Sequence, residues 1–383
     1  MSKLEELLKK ECPDGVEYVP LWSVTIWDKK FNSVDKDKQK TTIKYKYYLA
    51  DELKELVVEN GDVKILTTNI SNLFTLEKLV SNSLSYGEIV CIPWGGNPIV
   101  QYYKGKFITS DNRIATSIDV NKLDNKFLYY VLINKLDLIS SFYRGAGIKH
   151  PDMSRVLDII IPLPPIEVQK EIVCILDTFT KYQYLLNREL ELRKKQYEYY
   201  RGKLLTFGDE VKWKKLNDIS EIKSGRNKIK NEVGKYPVYG STGIIAYSDD
   251  YVFNEPHILI ARVGINAGYV HIANGLYDVS DNTLIITELS PDICFKYMYY
   301  ILVNIRLNNY IKGGGIPLIT AGEIKNILIP IPPLEEQERI VNILDKFDAL
   351  CNDITKGLPA EIELRKKQYE YYRDKLLTFK EKK

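Results

Sequence analysis

The sequence predicts a mixed α/β (α+β) fold, built as a pseudo-two-fold tandem repeat in which a globular domain precedes one long helix. One observation is the string ELRKKQYEYYRGKLLTF at 191–207, which returns at 363–379 with a single substitution. Another is a second shared segment before each copy, IPLPPIEVQKEIVCILDTF at 161–179 and IPIPPLEEQERIVNILDKF at 329–347. The intervening stretches carry strand and hairpin signals. The repeat spans half the chain, which is far longer than the roughly 20 to 50 residues of a solenoid repeat.

Each shared segment predicts a long helix. Its prolines, Pro164 with Pro165 and Pro332 with Pro333, suit the first turn of a helix and no position further inside it. Apolar residues then recur at spacings of three and four as a heptad-like seam. About forty residues at roughly 1.5 Å each make a rod of about 60 Å. Its seam requires a helical partner, which the second copy supplies.

The second helix is expected to be interrupted. Its counterpart of 179–193 is 347–365, which is four residues longer. Gly357 and Pro359 lie in this stretch, and a proline inside a helix removes a hydrogen bond and clashes with the preceding turn. A kink or break is therefore predicted near 356–360.

Composition indicates an ordinary globular protein of two or more domains. Of 383 residues, 45% are hydrophobic and 27% are charged, and the formal net charge is +3. This mildly basic balance neither requires nor excludes nucleic acid. No apolar run reaches the roughly eighteen residues of a membrane helix and the N-terminus is charged, so a cytoplasmic protein without a membrane partner is expected. Five scattered cysteines without a CxxC pair indicate reduced thiols.

The repeat divides the chain into five segments. Residues 1–15 predict an N-terminal helix that resembles the tail of a missing long helix and so completes a circular repeat. The other segments are a first globular domain at 16–160, a central long helix at 161–207, a second globular domain at 208–328 and a C-terminal long helix at 329–383. The first domain is longer than the second, and its extra residues are expected within 41–82.

Basic and polar residues recur at matching places in the two domains, which favours nucleic acid over a merely solvated face. Lysines would contact phosphates, while Arg, Asn, Ser and Thr in turns such as 224–230 and 239–243 would read base edges. Plain turns without a ligand are the alternative for these loops. The candidate DNA contacts in the first domain are Lys44, Lys46, Trp94, Asn97, Arg113, Arg144 and Lys149. Those in the second domain are Lys223, Ser224, Arg226, Asn227, Lys228, Tyr239, Ser241, Thr242, Arg262, Asn266, Lys312 and Gly314.

Catalytic chemistry finds little support in the sequence. The three histidines, His150, His257 and His271, occupy unlike places in the repeat and show no HExxH or zinc-ligand spacing. The glycine-rich WGGN and KGGG segments match neither a P-loop nor GxGxxG. We therefore expect no catalytic residue, metal or cofactor in this chain. Two rival functions stay open: a stand-alone nuclease or methyltransferase, and a coiled-coil scaffold whose domains bind protein without DNA specificity.

The order of these motifs resembles the DNA specificity (S) subunit of type I restriction-modification systems. The resemblance rests on CPDGVEYVPL at 12–21, the two proline-headed helices and the doubled ELRKKQYEYYR string, and it covers essentially the whole chain. It implies two target recognition domains, each reading one half of a bipartite, asymmetric site in double-stranded DNA. It also implies that the two long helices pack antiparallel as a coiled-coil-like rod that fixes the spacer between the half-sites.

The resemblance further implies protein partners. The rod would dock two methyltransferase (M) subunits, through which restriction (R) subunits would join. S-adenosylmethionine, ATP and Mg would belong to those partners, and this chain would be a non-catalytic recognition subunit. Carried onto this sequence, the rod is 166–206 with 334–378. The partner-docking candidates are Gln169, Arg193, Tyr197, Tyr200, Gln337, Arg365, Tyr369 and Tyr372.

Overall fold

The computed structural model describes residues 3–228, 231–311 and 316–382. It confirms a mixed fold of helices and strands with one very long central helix. The helices are α1 (Lys3–Glu11), α2 (Ala50–Leu56), α3 (Glu77–Val80), α4 (Asn125–Asn134), α5 (Leu136–Ser141), α6 (Met153–Leu157), α7 (Ile166–Leu204), α8 (Leu216–Ile219), α9 (Phe295–Ile305), α10 (Ala321–Ile324), α11 (Leu334–Asn352) and α12 (Leu358–Leu376).

The strands are short, as the turn residues between the apolar runs predict. Those of the first half of the chain are β1 (Glu17–Pro20), β2 (Thr25–Trp27), β3 (Val63–Leu66), β4 (Phe74–Thr75), β5 (Ser85–Pro93), β6 (Gln101–Thr109), β7 (Asn112–Ser117), β8 (Tyr143–Arg144), β9 (His150–Pro151) and β10 (Ile160–Leu163). Those of the second half are β11 (Lys212–Lys215), β12 (Glu221–Ser224), β13 (Tyr236–Gly240), β14 (Gly243–Ser248), β15 (His257–Ala261), β16 (Val270–Ala273), β17 (Asp278–Val279), β18 (Thr283–Thr287) and β19 (Leu328–Ile331).

The chain forms two compact units. Unit 1 is Met1–Leu185 with Glu363–Lys383, and unit 2 is Leu186–Ile362. Helix α7 therefore gives its first part to unit 1 and its second part to unit 2, while α11 belongs to unit 2 and most of α12 to unit 1. Each unit thus combines one globular domain with helical segments from both copies of the repeat.

The centre of unit 1 is a six-stranded sheet of order β2-β7-β5-β6-β3-β4. Neighbouring strands are antiparallel except β3 and β6. Helix α4 and the start of α7 share an apolar core with this sheet, in which Ile92, Phe127 and Ile172 are buried. An antiparallel ribbon of β1 and β10 leads into α7. The extra residues at 41–82 supply β3 and β4, which extend one edge of the sheet.

Unit 2 repeats this plan with a smaller sheet of order β12-β18-β15-β16, whose strands correspond to β2, β7, β5 and β6. Its apolar core joins Ile258 of the sheet, Tyr297 of α9 and Leu344 of α11. The ribbon of β11 and β19 precedes α11, as β1 and β10 precede α7. A separate sheet of order β14-β13-β17 is added in this unit.

The two copies of the helical repeat contact each other within unit 1. The ring of Phe179 stacks on Tyr372 with centroids 5.5 Å apart. Further along α7, the Tyr182 ring lies 5.5 Å from the guanidinium of Arg365. Residue numbers rise along α7 as they fall along α12, so these segments run antiparallel, as the resemblance implied.

Unit 2 makes the same aromatic contact with the copies exchanged. Phe347 of α11 stacks on Tyr200 of α7 at a centroid distance of 5.7 Å. Phe347 holds the place of Phe179 in the repeat, and Tyr200 holds the place of Tyr372. The seam predicted from the heptad-like spacing is therefore used once in each unit.

The helical part of the second copy is interrupted between Asn352 and Leu358, slightly before the predicted 356–360. Pro359 is the second residue of α12, where its missing N–H has no helical partner to lose. Gly357 closes the turn, because a Cβ there would lie 2.5 Å from the Ala349 carbonyl oxygen and 2.7 Å from that of Asp353.

The C-terminal segment returns to the first ribbon in unit 1. The Tyr18 hydroxyl donates a 3.0 Å hydrogen bond to the Phe379 carbonyl. In unit 2 the Trp213 indole N–H donates to the Gly208 carbonyl, also at 3.0 Å. Trp213 holds the ribbon position of Tyr18, since each pairs with the proline that is the last residue but one of its partner strand, Pro330 in β19 and Pro162 in β10. The same junction is thus made by separate chain segments in one unit and by continuous chain in the other.

Candidate nucleic-acid interface and helix anchors

A buried glutamine joins each globular domain to its helix. Gln169 and Gln337 have no exposed surface. The Gln169 side chain accepts a 2.9 Å hydrogen bond from the Asp124 N–H and donates to the carbonyls of Lys122 and Pro164, both at 2.7 Å. The corresponding partners of Gln337 are Cys294, Asp292 and Pro332. The sequence assigned both glutamines to partner docking, and that assignment is wrong because a fully buried side chain cannot reach another protein.

A tyrosine and a lysine of each domain bind one aspartate of the helix. In unit 1 the Tyr130 hydroxyl and the Lys126 ammonium each donate to Asp177 at 2.6 Å. Burial and the hydrogen bond to Asp177 raise the pKa of Tyr130, so it remains a protonated donor. The corresponding group in unit 2 is Tyr300, Lys296 and Asp345, with distances of 2.7 and 2.6 Å.

The helices also carry an exposed apolar face that recurs between the copies. Leu192 and Tyr199 of α7 are 55% and 64% exposed, and Leu364 and Tyr371 of α12 are 59% and 61% exposed. Each pair is seven residues apart and so lies on one side of its helix. Exposed apolar patches on a protein surface often mark sites of interaction with another molecule. The two leucines were not among the docking residues predicted from the sequence, although each lies seven residues before one of these tyrosines.

The other docking candidates differ in exposure. Tyr197 is buried against Phe347, so it belongs to the helix pair, which corrects its assignment to docking. Tyr369 is partly buried, with its ring 6.5 Å from Phe179. Exposed surface remains on Tyr200, Tyr372, Arg193 and Arg365.

In the first domain, Arg113 is a buried residue that packs against Trp94. Its side chain is buried, and its guanidinium nitrogens lie 2.8 Å from Asp111 and 3.6 Å from Asp28. The same guanidinium lies 4.3 Å from the Trp94 ring. Because both carboxylates already satisfy it, Arg113 holds Trp94 in place, and its assignment as a direct DNA contact is corrected.

The other candidates of this domain gather around Trp94. The Trp94 and His150 rings lie 5.2 Å apart, and His150 Nδ1 is 2.7 Å from the Trp94 carbonyl oxygen. His150 begins β9, which forms a hairpin with β8. The Gly96 N–H donates to the Lys149 carbonyl in that hairpin at 3.1 Å. Exposed side chains here are Asn97, Arg144 and Lys149.

A cleft of about 500 Å³ beside Trp94 combines positive charge with aromatic rings. The Lys29 ammonium lies 4.5 Å from the Tyr47 ring on its wall. Lys44 and Lys46 are exposed nearby in sequence, and the Lys46 ammonium lies 5.3 Å from the Tyr48 ring. Cations beside aromatic surface suit phosphate and base contacts.

In the second domain, exposed candidates occupy the end of β12 and the following turn. Ser224 and Arg226 line a cleft of about 930 Å³, and Lys228 is exposed two residues further on. The Asn227 side chain donates to Asp278 at 2.5 Å, which holds this turn on β17.

Lys223 precedes this turn and is held by acidic neighbours. Its ammonium lies 2.5 Å from Glu221 and 3.5 Å from Glu288. The hydrogen bond to Glu221 raises the pKa of Lys223. A phosphate must compete with these carboxylates, so Lys223 is a weaker candidate than Lys228.

Tyr239, Ser241 and Thr242 lie at the hairpin of β13 and β14. The Tyr239 ring is 5.4 Å from the Tyr277 ring and 5.9 Å from the His271 ring, so it is held from two sides. Ser241 and Thr242 connect the strands, and Thr242 is exposed. The connection therefore presents the exposed Thr242 and the partly exposed Ser241 next to a tyrosine that packs against two other rings.

Arg262 and Asn266 lie in the turn between β15 and β16. Arg262 Nη1 donates to the Asp281 carbonyl at 3.3 Å, and the Asn266 carbonyl accepts from the Tyr269 N–H at 2.9 Å. Both side chains are partly exposed. The remaining candidates, Lys312 and Gly314, lie outside the described residues.

Within 3–228, 231–311 and 316–382, no three His, Cys, Asp or Glu side chains are grouped as metal ligands. His257 illustrates a structural role, since its Nδ1 lies 2.7 Å from the Tyr277 hydroxyl. Across the same described ranges, none of the helices has an apolar stretch long enough to cross a bilayer.

Comparison with known proteins indicates one family. The chain matches the family described as Type I restriction modification DNA specificity domain at 29–193 and again at 208–364. It is 35% identical over 308 residues to the Type I restriction enzyme EcoR124I/EcoR124II specificity subunit of Escherichia coli, covering 71% of this chain and 75% of that protein. It is 30% identical over 254 residues to the Escherichia coli Type I restriction enzyme EcoprrI specificity subunit, covering 61% and 63%.

A solved structure shares the fold. The crystal structure of a type I restriction-modification S subunit from M. genitalium aligns with a TM-score of 0.64 at 17% identity, covering 95% of this chain and 96% of that one. The first family match lies mostly in unit 1 and the second mostly in unit 2, and each includes most of a globular domain and adjoining helix. The chain therefore belongs to the type I restriction-modification DNA specificity family.

Proposed function

We propose that this chain is the DNA specificity subunit of a type I restriction-modification complex. Each globular domain reads one half of a bipartite, asymmetric site in double-stranded DNA. The observation that carries this proposal is the double family match to a DNA specificity domain, combined with two domains anchored to their helices by the same buried contacts. The two domains share the same attachment to their helices and differ in their loops, as expected if each domain reads a different DNA sequence.

The exposed candidates divide between positioning and reading. Lysines such as Lys46, Lys149 and Lys228 contact phosphates, which fixes the register of each domain without reading sequence. Side chains that can form two hydrogen bonds at once meet base edges, where the Asn amide favours adenine and the Arg guanidinium, which only donates, favours guanine. The reading residues we propose are Asn97 and Arg144 in the first domain, and Ser224, Arg226, Ser241, Thr242 and Asn266 in the second.

The chain acts without catalysis of its own. Two methyltransferase subunits dock on the exposed apolar faces of α7 and α12, where Leu192, Tyr199, Leu364 and Tyr371 lie. Restriction subunits join through them. S-adenosylmethionine, ATP and Mg belong to these partners, and the helices set the spacer between the half-sites.

The test is to sequence methylated sites in cells that carry this chain with its methyltransferase subunit. The expected result is one bipartite motif with unlike halves and a constant spacer. Arg226→Ala should change or relax only the half-site of the second domain, and Asn97→Ala only that of the first. Exposed Glu232→Ala serves as a control in the second domain and should leave the motif unchanged.

The spacer is tested separately. Removing residues 356–359, at the junction of α11 and α12, should alter the permitted spacer or the assembly while both half-sites keep their bases. A change in the half-site bases themselves would count against helices that act as a ruler.

The rivals make different predictions for purified components. A stand-alone nuclease or methyltransferase turns over DNA without partner subunits. A protein-binding scaffold shows no salt-dependent DNA affinity, whereas a specificity subunit loses affinity steeply as salt rises, because each phosphate contact releases counterions.

A further inference from the structure

One exposed isoleucine recurs at the same place in both globular domains. Ile148 is 69% exposed and Ile316 is 73% exposed. Both follow a glycine-rich run, in GAGIK at 145–149 and GGGIP at 313–317. An isoleucine in water contributes none of the burial that makes this residue stabilising. Folding therefore does not account for an exposed isoleucine in both domains.

Backbone contacts show that the two positions are equivalent. The carbonyl of Lys149, after Ile148, accepts from the Gly96 N–H at 3.1 Å. The carbonyl of Pro317, after Ile316, accepts from the Gly264 N–H at 3.0 Å. The two glycines follow β5 and β15, which hold the same position in their sheets. Each isoleucine is thus tied to the end of the same strand of its own domain.

In unit 1, two glycines make room for Ile148. A Cβ on Gly95 would lie 2.8 Å from Ile148 Cγ2, and a Cβ on Gly145 would lie 2.6 Å from the Ile148 carbonyl oxygen. Gly145 also has a φ of +144°, which side chains rarely adopt. The isoleucine therefore stands on a defined hairpin tip, with one edge packed on Gly95 and the rest in water.

The charges around Ile148 indicate what covers it. Arg144 and Lys149 are exposed on the same hairpin. Lysine is depleted in the buried centre of protein interfaces, whereas phosphates flank the bases of a DNA groove on both sides. An apolar tip between two cations is therefore complementary to a groove, in which Lys149 meets a phosphate while the tip and Arg144 meet bases.

We propose that Ile148 and Ile316 are equivalent apolar DNA contacts, each packing against the bases of its own half-site. This inference rests on the proposed function and adds residues that no sequence motif assigned. Apolar side chains contact the thymine methyl group or lie against a base step. Because the isoleucine is common to both domains, it contributes affinity. The next residues after the tethering glycines differ, Asn97 in one domain and Ile265 in the other, and they contribute discrimination.

The experiment uses the complex assembled with its methyltransferase subunits and a duplex that carries the mapped site. Fluorescence anisotropy at several salt concentrations gives the affinity and its salt slope. Ile148→Ala and Ile316→Ala should each weaken binding by about tenfold, from the lost apolar contact. Their salt slopes should equal that of wild type, because no charge is removed. Lys149→Ala should instead lower the slope by about one phosphate contact.

Scrambled duplexes assign each isoleucine to a half-site. Ile148→Ala should lose nothing further on a duplex whose first half-site is scrambled, and Ile316→Ala nothing further when the second is scrambled. Val120→Ala and Ile354→Ala, which also truncate exposed apolar side chains, should bind like wild type. Ile148→Leu should retain most of the affinity, which separates lost contact from an altered hairpin.

The inference is overturned if both alanine variants bind like wild type, or if each loses affinity equally whichever half-site is scrambled. These results differ from a failure of the proposed function. If the proposed function fails, the wild-type complex itself methylates no bipartite site. If wild type does so and the isoleucine variants match it, only the role of the isoleucines is wrong.

Discussion

The Tyr130 hydroxyl donates a 2.6 Å hydrogen bond to the Asp177 carboxylate, which joins α4 of the first domain to α7. In the second domain Tyr300 and Asp345 form the same bond at 2.7 Å. Each tyrosine belongs to a globular domain and each aspartate to a helix of the repeat. Both domains are thus attached to their helices by the same tyrosine–aspartate hydrogen bond, while their outward-facing loops differ.

Replacing Tyr130 by Phe should destabilise the chain by about 1.5 kcal/mol, the lower end for a hydrogen bond to a charged acceptor, because Lys126 still pairs with Asp177. Urea denaturation measures the change. Tyr86→Phe alters an exposed tyrosine and should leave the midpoint unchanged. Equal midpoints for the two variants would show that the bond does not stabilise the domain on its helix.

Gln169→Ala should lower stability and not partner affinity. The substitution leaves the Asp124 N–H and two carbonyls without their buried partner, at about 1–3 kcal/mol for each group that water cannot reach. The exposed neighbour Lys170 pairs with Glu167 at the surface, so Lys170→Ala should change stability by less than about 1 kcal/mol. Normal unfolding with weakened methyltransferase binding would instead restore Gln169 as a docking residue.

The double variant Leu192→Ala with Tyr199→Ala should weaken binding of a methyltransferase subunit by about tenfold or more, because it removes an exposed apolar anchor. Calorimetric titration measures the affinity. Glu198→Ala, on another side of the same helix, is the control. Thermal unfolding should be unchanged, and a loss of stability without a loss of affinity would place these side chains in the fold and not in docking.

Replacement by alanine should have opposite effects on stability at Gly357 and at Gly202. A Cβ at Gly357 meets backbone carbonyls at 2.5 and 2.7 Å, so Gly357→Ala should destabilise by about 1–3 kcal/mol. At Gly202, inside α7, an added Cβ meets no described atom within 4 Å apart from its chain neighbours and the backbone of its own helix, so Gly202→Ala should stabilise by about 0.5–1 kcal/mol. Thermal unfolding gives both shifts. A stabilised Gly357→Ala variant would contradict the packing around Gly357, and a destabilised Gly202→Ala variant would contradict the open space around Gly202.

His271 should make the second unit less stable in mild acid. Burial lowers its pKa, and within the described residues neither ring nitrogen has a hydrogen-bond partner. The unfolded chain takes up a proton below about pH 6.5 while the folded imidazole stays neutral, so stability falls as the pH drops below that value. Burial also lowers the pKa of His257, which adds to the slope.

His271→Phe preserves the contacts with the rings of Tyr239 and Tyr269 and removes the titrating group. The variant should therefore show a flatter dependence of urea midpoint on pH between 5 and 7, with His257 accounting for the remainder. An unchanged slope would mean that His271 is protonated alike in the folded and unfolded chain.

Side-chain roles at the surface were harder to predict than the fold. Arg113, Gln169 and Tyr197 look exposed because of their polar groups and their place in repeated strings, yet all three are buried. Their partners, Asp28, Asp124 and Phe347, are distant in the chain. Leu192 and Leu364 show the reverse, since leucines in a heptad-like helix suggest the seam and yet remain in water.

The duplication, the two long helices, the mixed domains and the family resemblance could all be predicted from the sequence. These follow from local spacing and from identity between the copies, which need no knowledge of contacts. Three-dimensional packing was needed to show which repeated residues anchor a domain, which pair the helices and which remain available to DNA or a partner. Burial depends on what packs against a side chain, and the packing segments lie far apart in the chain, within one copy of the repeat for Gln169 and in different copies for Tyr197.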